Sequence, residues 1–300
     1  MKFLNFSRID GSATKIGCEF EGRCLDIGEV IKAGLINAPD LNSIEDALLW
    51  NDGLLGLEKL LKPFLDESNS NNGIPTLEWT EVRFLTPVFR PQKIIGIGLN
   101  YHDHAEEVGL PKPQEPLLFA MFANTVIGPE DEIIVPAISD QIDFEAEMGV
   151  VIGKKCRNVS TEESMDYVAG YTIVNDVSAR DLQFSDNQWV RGKSIDTFAP
   201  MGPCLATTSS LANGDGLDIS LRLNGHTMQQ SNTSNLIFKV PELVSYVSQV
   251  LTLEPGDVIS TGTPGGVGFS RTPPVFMQAG DIVEIDLEGV GTLRNKVAVE

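Results

Sequence analysis

From residue 93 onwards the chain consists mostly of short apolar segments of strand length, and this pattern limits the possible folds more than any other feature. Gly, Pro, Asn and Asp separate the segments, which predicts β-strands joined by turns. The segments are "KIIGIGLN", "EIIVP", "EMGVVIG", "GYTIVNDVS", "CLATT", "LDISLRLNG", "DVISTG", "DIVEIDLEG" and "GTLRNKVAV". Helical patterns are few: "STEESMDYVAG" has a capping box from Ser160 to Glu163, and "VPELVSYVSQVL" has Pro241 near its first turn. We therefore expect a mostly β chain with a few helices, an α+β fold whose strands close or stack around a core.

Residues 1–85 are predicted to form a small N-terminal α+β domain of their own, with the main domain spanning residues 86–300. The segment "KIGCEFEGRCLDI" alternates like a short hairpin with its turn at Glu21-Gly22. Two helical patterns follow, "SIEDALLWN" with Ser43 as N-cap, and "LLGLEKLLKPFL". The segment "DESNSNNGIP", residues 66–75, is typical of a linker.

Composition excludes several classes of partner. A hydrophobic content of 42% with 21% charged residues is typical of a globular protein, and a net charge of -20 disfavours nucleic acid and anionic membranes. The four cysteines have no CxxC spacing, which favours reduced thiols. The first residues contain no apolar segment typical of a secretion signal, and no apolar run is long enough to cross a bilayer. We therefore expect a cytoplasmic protein.

The segment "DFEAEMGVV" places carboxylates at alternate positions of a predicted buried strand, so that they share one face. Glu145 and Glu147 belong to this set, and Asp176 ends the later apolar strand "YTIVND". Oxygen ligands of this kind suit Mg²⁺ or Mn²⁺. Two alternatives remain open at this point: the acids lie on the wet side of an edge strand, or they are paired with Arg180 or Lys193.

The segment "GIGLNYHDHAEEVG" contains two of the three histidines just after a predicted strand. In a helical turn His104 and Glu107 would stand at positions i and i+3, where the carboxylate can orient the imidazole for general-base catalysis. A surface helix with solvated charges, or a His-x-His metal site, is equally compatible with the spacing.

Two further segments predict contacts to a ligand. The long region "SARDLQFSDNQWVRGKSIDTFAPMGP" contains Gln183 and Lys193 and is bounded by Gly and Pro, as functional loops often are. Lys193 would bind a substrate carboxylate or carbonyl, or else pair with Asp181 or Asp196. The Gly-rich "STGTPGGVG" lacks the Gly-Lys-Ser/Thr of a P-loop, but its turn around Thr263 can offer backbone N–H groups to an anion.

Together and in this order, these motifs resemble the fumarylacetoacetate hydrolase family, in its two-domain, short-chain branch. The resemblance is carried by "GLNYHDHAEEVG", "DFEAEMGVVIG", "DVSARDLQFSDNQWVRGKSIDTFAPMGP" and "STGTPGGVGF", and it covers residues 90–298. It implies a mixed β-roll with a metal at its open end, in a homodimer, and a variable cap domain in residues 1–85. Met121 departs from the pattern, since many relatives have Lys there.

The resemblance also implies a set of site residues. The implied metal ligands for Mg²⁺ or Mn²⁺ are Glu145, Glu147 and Asp176. The implied catalytic residues are His104, Glu107 and Lys193, and the implied substrate contacts are Gln183 and Thr263. Asp143 would be a supporting or structural residue.

The implied activity is metal-dependent hydrolysis of a C–C bond. The substrate would be a 2,4-diketo acid, such as the acylpyruvate fumarylpyruvate from aromatic compound catabolism or a diketo-deoxy sugar acid, and the products an α-keto acid and a carboxylic acid. The alternatives on the same site are an oxaloacetate decarboxylase or tautomerase and a hydroxymuconate-type isomerase or hydratase. A non-catalytic protein that binds a metal and a keto acid is the alternative from another class.

Overall fold

The computed structural model describes residues 1–11, 13–68, 74–185 and 188–300, without the side chains of residues 66–68. The strands are β1 (Lys2–Arg8), β2 (Lys15–Phe20), β3 (Arg23–Asp26), β4 (Thr76–Leu77), β5 (Val82–Leu85), β6 (Ile94–Gly98), β7 (Leu117–Met121), β8 (Val126–Ile127), β9 (Glu132–Val135), β10 (Ile142–Asp143), β11 (Ala146–Ile152), β12 (Val168–Asn175), β13 (Ser178–Ala179), β14 (Ala199–Thr207), β15 (Asp218–Leu223), β16 (His226–Asn232), β17 (Val258–Ser260), β18 (Ile282–Leu287) and β19 (Gly291–Val299). The α-helices are α1 (Ile27–Lys32), α2 (Ile44–Leu48), α3 (Gly53–Ser68), α4 (His102–Glu107), α5 (Arg180–Phe184), α6 (Val190–Lys193), α7 (Thr208–Leu211) and α8 (Val240–Val250). Short 3₁₀ helices span Trp79–Glu81, Ala123–Thr125, Ser164–Tyr167 and Thr233–Asn235.

Two large sheets and a two-stranded sheet of β10 and β13 organise the described residues. The larger has the strand order β4-β3-β2-β1-β14-β12-β11-β17-β6-β7, with β5 paired to β1 and β8 to β14, and the smaller has the order β16-β15-β18-β19-β9. Most pairs are antiparallel, but β17 with β6, β19 with β9 and β14 with β8 are parallel. The prediction of a mostly β, mixed-sheet fold with a few helices is confirmed.

The central strands of the large sheet are apolar on both faces because both faces are covered. All seven residues of β11 and all eight of β12 are buried. Val150 and Ile173 pack into the apolar cluster that includes the smaller sheet and α8, while Val151 and Val174 pack into the cluster that includes α1, α2 and α3. This two-sided burial explains the continuous apolar run in "EMGVVIG".

In residues 1–85 the predicted hairpin forms from β2 and β3, and the two predicted helices are α2 and α3. Ser43 caps α2 by accepting a hydrogen bond from the Asp46 N–H at 3.1 Å. Helix α1 was not predicted, although Asp26, which accepts from the Glu29 N–H at 3.1 Å, is its capping signal. Because β1 pairs with β14, this segment continues the large sheet. The domain boundary near residue 85 stays a prediction.

Other segments differ from expectation or lie outside the described residues. The side chains of Ser160 and Glu163 each accept from the other's backbone N–H, as predicted, but only a 3₁₀ helix follows because β12 begins at Val168. The helix predicted around Pro241 is confirmed as α8. The predicted linker has residues 69–73 outside the described residues. Among the described residues, no helix is long and apolar enough to cross a membrane.

Candidate active site with a carboxylate cluster

The pairing of β11 with β12 brings three predicted metal ligands together. Ala146 lies opposite Asn175, and the Asp176 N–H donates to the Glu145 carbonyl at 3.0 Å. Glu145, Glu147 and Asp176 thereby place carboxylate oxygens within 4.8 Å of one another. Their exposed fractions are 6%, 2% and 0%, so the alternative of a wet edge strand is wrong.

Two buried cations lie against this cluster. Lys193 Nζ donates to Glu145 Oε2 at 2.8 Å and to Asp176 Oδ2 at 2.7 Å. The Arg180 guanidinium lies 2.7 Å from Glu145 Oε1 and 2.8 Å from Asp143 Oδ2. The pairing alternative is therefore correct as well, and it coexists with the cluster. With all groups ionised, four buried carboxylates face two cations, which leaves a net charge of about -2 in a region shielded from water.

The pKa shifts report this excess of negative charge. Burial, the Asp176 charge and the Glu145 charge hold the pKa of Glu147 well above its usual range. Burial also raises the pKa of Asp176 to about 7, with Glu145 contributing and Lys193 opposing. Burial opposes ionisation of Glu145 too, but Lys193 and Arg180 outweigh it and lower its pKa to about 2. Lys193 and Arg180 thus compensate the negative charge of Glu145, whereas the charges of Glu147 and Asp176 are not fully compensated.

The cluster fits a divalent cation. Asp176 Oδ1 is buried and has no hydrogen-bond partner among the described residues. Glu147 Oε2 is held in place by the Ser260 hydroxyl at 2.6 Å and by the Gly262 N–H at 2.9 Å. The donors are all carboxylate oxygens, the ligand type that Mg²⁺ and Mn²⁺ prefer. Glu145, Glu147 and Asp176 are the residues that would hold the ion.

Asp143 lies outside the cluster. Its carboxylate accepts from Arg180 Nε at 2.8 Å and from the N–H groups of Gly268 and Phe269 at 2.7 and 3.0 Å. The face expected to be shared with Glu145 is interrupted, because β10 ends at Asp143 and β11 begins only at Ala146. Asp143 is therefore a structural anchor for Arg180.

The predicted dyad of His104 and Glu107 forms on α4. His104 Nδ1 lies 3.1 Å from Glu107 Oε2, and Glu107 Oε1 accepts from the Gly266 N–H at 2.9 Å and from the Ser270 hydroxyl at 2.7 Å. Burial would raise the pKa of Glu107, but these hydrogen bonds lower it. Because an ionised carboxylate only accepts hydrogen bonds, Nδ1 carries the proton and Nε2 is free to act as a base.

Both alternatives for the histidine segment are wrong. His104 is 8% exposed, which excludes a solvated surface position. Among the described residues, the group able to hold a metal contains carboxylates only, so neither His102 nor His104 belongs to it.

A cavity of about 360 Å³ brings the two halves of the site together. Of the predicted site residues, those that line it are His104, Glu145, Glu147, Gln183, Lys193 and Thr263. Glu107 and Asp176 do not line it but contact His104 and Lys193, which do. The structure therefore assembles all eight predicted residues around one cavity, and their roles stay predictions.

The two predicted substrate contacts are already hydrogen-bonded within the protein. Gln183 Oε1 accepts from Arg180 at 2.9 Å. The Thr263 hydroxyl donates to the Ala146 carbonyl at 3.1 Å and accepts from Gln229 Nε2 at 2.8 Å. Gln183 retains amide N–H donors for a ligand, whereas the Thr263 hydroxyl is largely committed to holding β11.

The alternative ion pairs of Lys193 are wrong. Asp181 accepts from the Ser139 hydroxyl at 2.6 Å, and Asp196 accepts from Asn124 at 2.6 Å. Lys193 is instead 2% exposed and directed at the acids.

Two short helices, α5 and α6, replace the long loop expected here, and they meet at Gly192. A Cβ at Gly192 would lie 2.7 Å from the Gln183 nitrogen and 2.8 Å from the Ala179 oxygen. Glycine therefore permits the contact of α5 and α6 that places Lys193 inside the protein.

The Gly-rich segment does bind anions, but they are the protein's own carboxylates. Backbone N–H groups of residues 262–268 donate to Glu147, Glu107 and Asp143. The segment thus fixes a candidate metal ligand, the partner of the candidate base and the anchor of Arg180 at the same time.

Sequence reasoning missed the supporting residues Ser260, Ser270 and Gln229. Ser260 is the first residue of the Gly-rich segment and Ser270 follows it closely, so the segment was a usable signal for both. Gln229 lies in β16, where no motif marks it, and it accepts from the Ala146 N–H at 2.9 Å.

Met121 is 3% exposed and packs in the apolar cluster with Val88 and Ile94. It is not among the described residues that line the cavity. Met121 in place of Lys therefore alters the apolar core beside β6. It alters none of the described residues that line the cavity.

Comparison with known proteins agrees with this geometry. The family model for the fumarylacetoacetate (FAA) hydrolase C-terminal region matches residues 93–298. The chain is 44% identical over 269 residues to a mitochondrial oxaloacetate tautomerase of Bos taurus, covering 86% of this chain and 83% of that protein.

Two solved structures are similar along the whole chain. A fumarylacetoacetate hydrolase from psychrophilic Exiguobacterium antarcticum has a TM-score of 0.83 at 31% identity, covering 100% of both chains. A 5-carboxymethyl-2-hydroxymuconate delta-isomerase from Mycobacterium smegmatis has a TM-score of 0.75 at 34% identity, covering 100% of this chain and 99% of that one. The chain therefore belongs to the fumarylacetoacetate hydrolase family.

Proposed function

We propose that this enzyme is a keto–enol tautomerase of oxaloacetate-type 2-keto acids, with Mg²⁺ or Mn²⁺ held by Glu145, Glu147 and Asp176. The observation that carries the proposal is the placement of His104, oriented by Glu107, on the same cavity as the carboxylate cluster. The similarity to an oxaloacetate tautomerase at 44% identity supports the same reaction.

The reaction needs a base for the proton on C3 and positive charge near the ketone oxygen. When bound, the divalent cation supplies Lewis-acid polarisation of the keto-acid oxygens. Lys193, buried at the polar end of the cavity, adds a positive charge close to the oxygen on which negative charge develops. Gln183 offers its amide N–H groups to the substrate carboxylate.

His104 carries the proton transfer. Its Nε2 takes the proton from C3 as the C2–C3 double bond forms, and it returns a proton to C3 in the reverse direction. Glu107 holds Nδ1–H at 3.1 Å and stabilises the imidazolium that forms in between. The Gly266 N–H and the Ser270 hydroxyl keep Glu107 ionised and in place.

Hydrolysis of a C–C bond in a 2,4-diketo acid, the reaction expected from the sequence, is the second candidate. The similarity to a fumarylacetoacetate hydrolase at a TM-score of 0.83 favours it. It would use His104 to deprotonate a water molecule, but it also needs a site for that water beside the distal carbonyl. Tautomerisation needs only the groups described above, so we place it first. The homodimer and the cytoplasmic location also stay predictions, and the Bos taurus relative is named as mitochondrial.

The test is the decay of the enol absorbance of oxaloacetate in the ultraviolet, with Mg²⁺ or Mn²⁺ present. We expect His104→Ala to lower kcat/KM by about 10²- to 10⁴-fold, because it removes the general base. The matched control is His226→Ala, since His226 is an exposed histidine on β16.

Pyruvate release from acylpyruvates, measured in parallel, separates the two candidates. If the wild-type enzyme releases pyruvate rapidly and does not accelerate oxaloacetate tautomerisation, the hydrolase proposal replaces the tautomerase proposal. Equal rates for wild type and His104→Ala on both substrates would reject the assigned base.

A further inference from the structure

The cavity has an apolar end as well as the polar end that holds the candidate site. Aromatic and aliphatic side chains form it, namely Phe119, Trp189, Phe184, Phe269, Leu110 and Leu117. Phe184, Leu110 and Leu117 are 58%, 56% and 43% exposed, so the apolar end opens towards solvent. An apolar surface made of six large side chains beside a polar site indicates a ligand with an apolar part.

One wall of the apolar end rests on glycines of β6. A Cβ at Gly96 would lie 2.1 Å from the Phe119 ring, and a Cβ at Gly98 would lie 2.5 Å from the Trp189 ring. Any larger residue at either position would displace an aromatic ring. The two rings contact each other edge to face, with centroids 5.4 Å apart. The glycine spacing in "GIGLN" therefore seats a preformed aromatic wall.

A second aromatic pair also lines the cavity. Phe184 and Phe269 pack edge to face with centroids 5.4 Å apart. The Arg180 guanidinium lies 4.5 Å from the centre of the Phe269 ring, so an aromatic face covers this cation. A substrate group at the apolar end would therefore have two aromatic pairs among its neighbours.

The two cations that line the cavity lie beside these rings, Arg180 at Phe269 and Lys193 with its Nζ 5.4 Å from the centre of the Phe119 ring, and both are paired with carboxylates of the protein. Among the described lining residues, Arg180 and Lys193 are the Lys and Arg side chains. Arg180 binds Asp143, Glu145 and Gln183, and Lys193 binds Glu145 as well as Asp176. A second carboxylate of the substrate would therefore meet cations that already pair with carboxylates of the protein.

We propose that the preferred substrate carries an aromatic or conjugated apolar group on C3, as in phenylpyruvate, in place of the second carboxylate of oxaloacetate. The inference rests on the proposed tautomerisation and names its substrate class. The keto-acid end lies at the carboxylate cluster, and the ring lies against the aromatic side chains of the apolar end, Phe119, Trp189 and Phe269. The reaction balances without a co-reactant: a C3 proton passes to His104, the ketone oxygen takes up a proton from solvent, and the His104 imidazolium returns its proton to solvent.

The experiment compares two substrates on one enzyme. With Mg²⁺ present, kcat/KM is measured for enol-to-keto conversion of phenylpyruvate and of oxaloacetate by the loss of enol absorbance. We expect the wild-type enzyme to prefer phenylpyruvate. In Trp189→Ala the ratio of phenylpyruvate to oxaloacetate kcat/KM should fall by about tenfold. Because it is a ratio, any loss of kcat/KM that is common to both substrates cancels.

Two further variants control for folding and for tryptophan loss in general. Trp189→Phe keeps an aromatic ring and should hold the ratio within about threefold of wild type. Trp79→Ala removes a tryptophan that stacks on Phe84 outside the cavity, and it should leave the ratio unchanged. A folded Trp189→Ala, judged by circular dichroism and Mg²⁺ titration, with a wild-type ratio would overturn the proposal.

The two proposals fail in different ways. Rapid conversion of oxaloacetate with no acceleration of phenylpyruvate would overturn the substrate class and leave the tautomerase function standing. No acceleration of either substrate, with the metal bound, would overturn both.

Discussion

Glu145 is the residue on which the site converges. It pairs with Lys193 and Arg180, its carbonyl accepts from the Asp176 N–H, and its own N–H donates to Asn175 Oδ1 at 3.1 Å. A side chain fixed by so many partners is preorganised, so a ligand at this position would lose little side-chain entropy on binding a metal.

Glu145→Gln should therefore lower the affinity for Mg²⁺ by at least about tenfold, or about 1.4 kcal/mol, because a neutral amide replaces a charged oxygen ligand. Isothermal titration calorimetry measures this change directly. The matched control is Glu162→Gln, an exposed glutamate away from the cavity. An unchanged dissociation constant in Glu145→Gln would remove this residue from the ligand set.

At the residue scale, the sequence predicted the acids well and their partners poorly. Carboxylates at alternate positions around the start of one strand and at the end of the next are local patterns, so Glu145, Glu147 and Asp176 could be found from the sequence. Lys193 reaches Glu145 across 48 residues, and no local pattern chooses between that acid and the nearer Asp196. The pairing of Lys193 with Glu145 is determined by the tertiary structure.

Strand β16 is the element that connects the two halves of the site. Gln229 accepts from the Ala146 N–H and donates to the Thr263 hydroxyl and the Pro264 carbonyl, both at 2.8 Å. From the same strand, the Ser231 hydroxyl donates to Asp103 on α4 at 2.6 Å. The strand thus holds the start of β11, the Gly-rich segment and the helix of His104 in one arrangement.

Gln229→Met should weaken both stability and metal binding. The variant keeps a side chain of similar length but leaves the buried N–H of Ala146 and its other partners unsatisfied, at a cost of about 1–3 kcal/mol. Urea unfolding and Mg²⁺ titration are the two measurements. Gln230→Met, at the exposed neighbouring position, is the control. If both variants bind Mg²⁺ equally well, β16 does not position the ligands.

A second contact between elements should make the stability of the folded state depend on pH. Glu58 on α3 is 2% exposed and accepts from Thr207 at 2.8 Å, from Ser209 at 2.6 Å and from Lys62 at 2.6 Å. Burial would raise the pKa of Glu58, but Lys62 and the two hydroxyls lower it from 4.5 to about 2. A depressed pKa stabilises the folded state above the unfolded pKa, and this stabilisation is lost as the pH falls from 4.5 towards 2.

Glu58→Gln should therefore lower the free energy of unfolding at pH 7 by on the order of 2 kcal/mol. The difference from wild type should shrink between pH 4.5 and pH 2, as the wild-type carboxylate is protonated. Urea unfolding at pH 7, 5 and 3 measures it. A difference that stays constant down to pH 3 would contradict the assigned role of the charge.

At the element scale, prediction succeeded where local signals are strong. The β2–β3 hairpin, α2, α3 and α8 follow from alternation, a serine cap and an early proline. Helices α5 and α6 did not, because each is about one turn long and depends on the close contact at Gly192. Short helices stabilised by tertiary contacts leave little periodicity in a sequence.

For the whole molecule, the strand order could not be read from the sequence. The pairing of Phe3 with Leu205 joins the N-terminal strands to the rest of the large sheet across some two hundred residues, and nothing local encodes it. The two-sided burial of β11 was visible as a continuous apolar run, and the number of short strands was enough to predict the fold class.

The whole molecule also provides the last test, because its charge and its buried cluster respond differently to cations. The chain carries a net charge of -20, so any salt relieves repulsion between surface groups. The cluster of Glu145, Glu147 and Asp176 would add a specific effect, since a ligand that binds only the folded state stabilises it, by about 2.7 kcal/mol at one hundred times its dissociation constant.

We expect Mg²⁺ or Mn²⁺ to raise the Tm of wild type well beyond the effect of NaCl at the same ionic strength, and EDTA to reverse the rise. In Glu147→Gln the effect of the divalent ion should fall to that of NaCl, because the charged ligand is gone while the surface charge barely changes. Differential scanning calorimetry measures both proteins under the same conditions. A divalent effect that is equal in wild type and variant would mean that the ions act on the acidic surface, and the buried cluster would then not be a metal site.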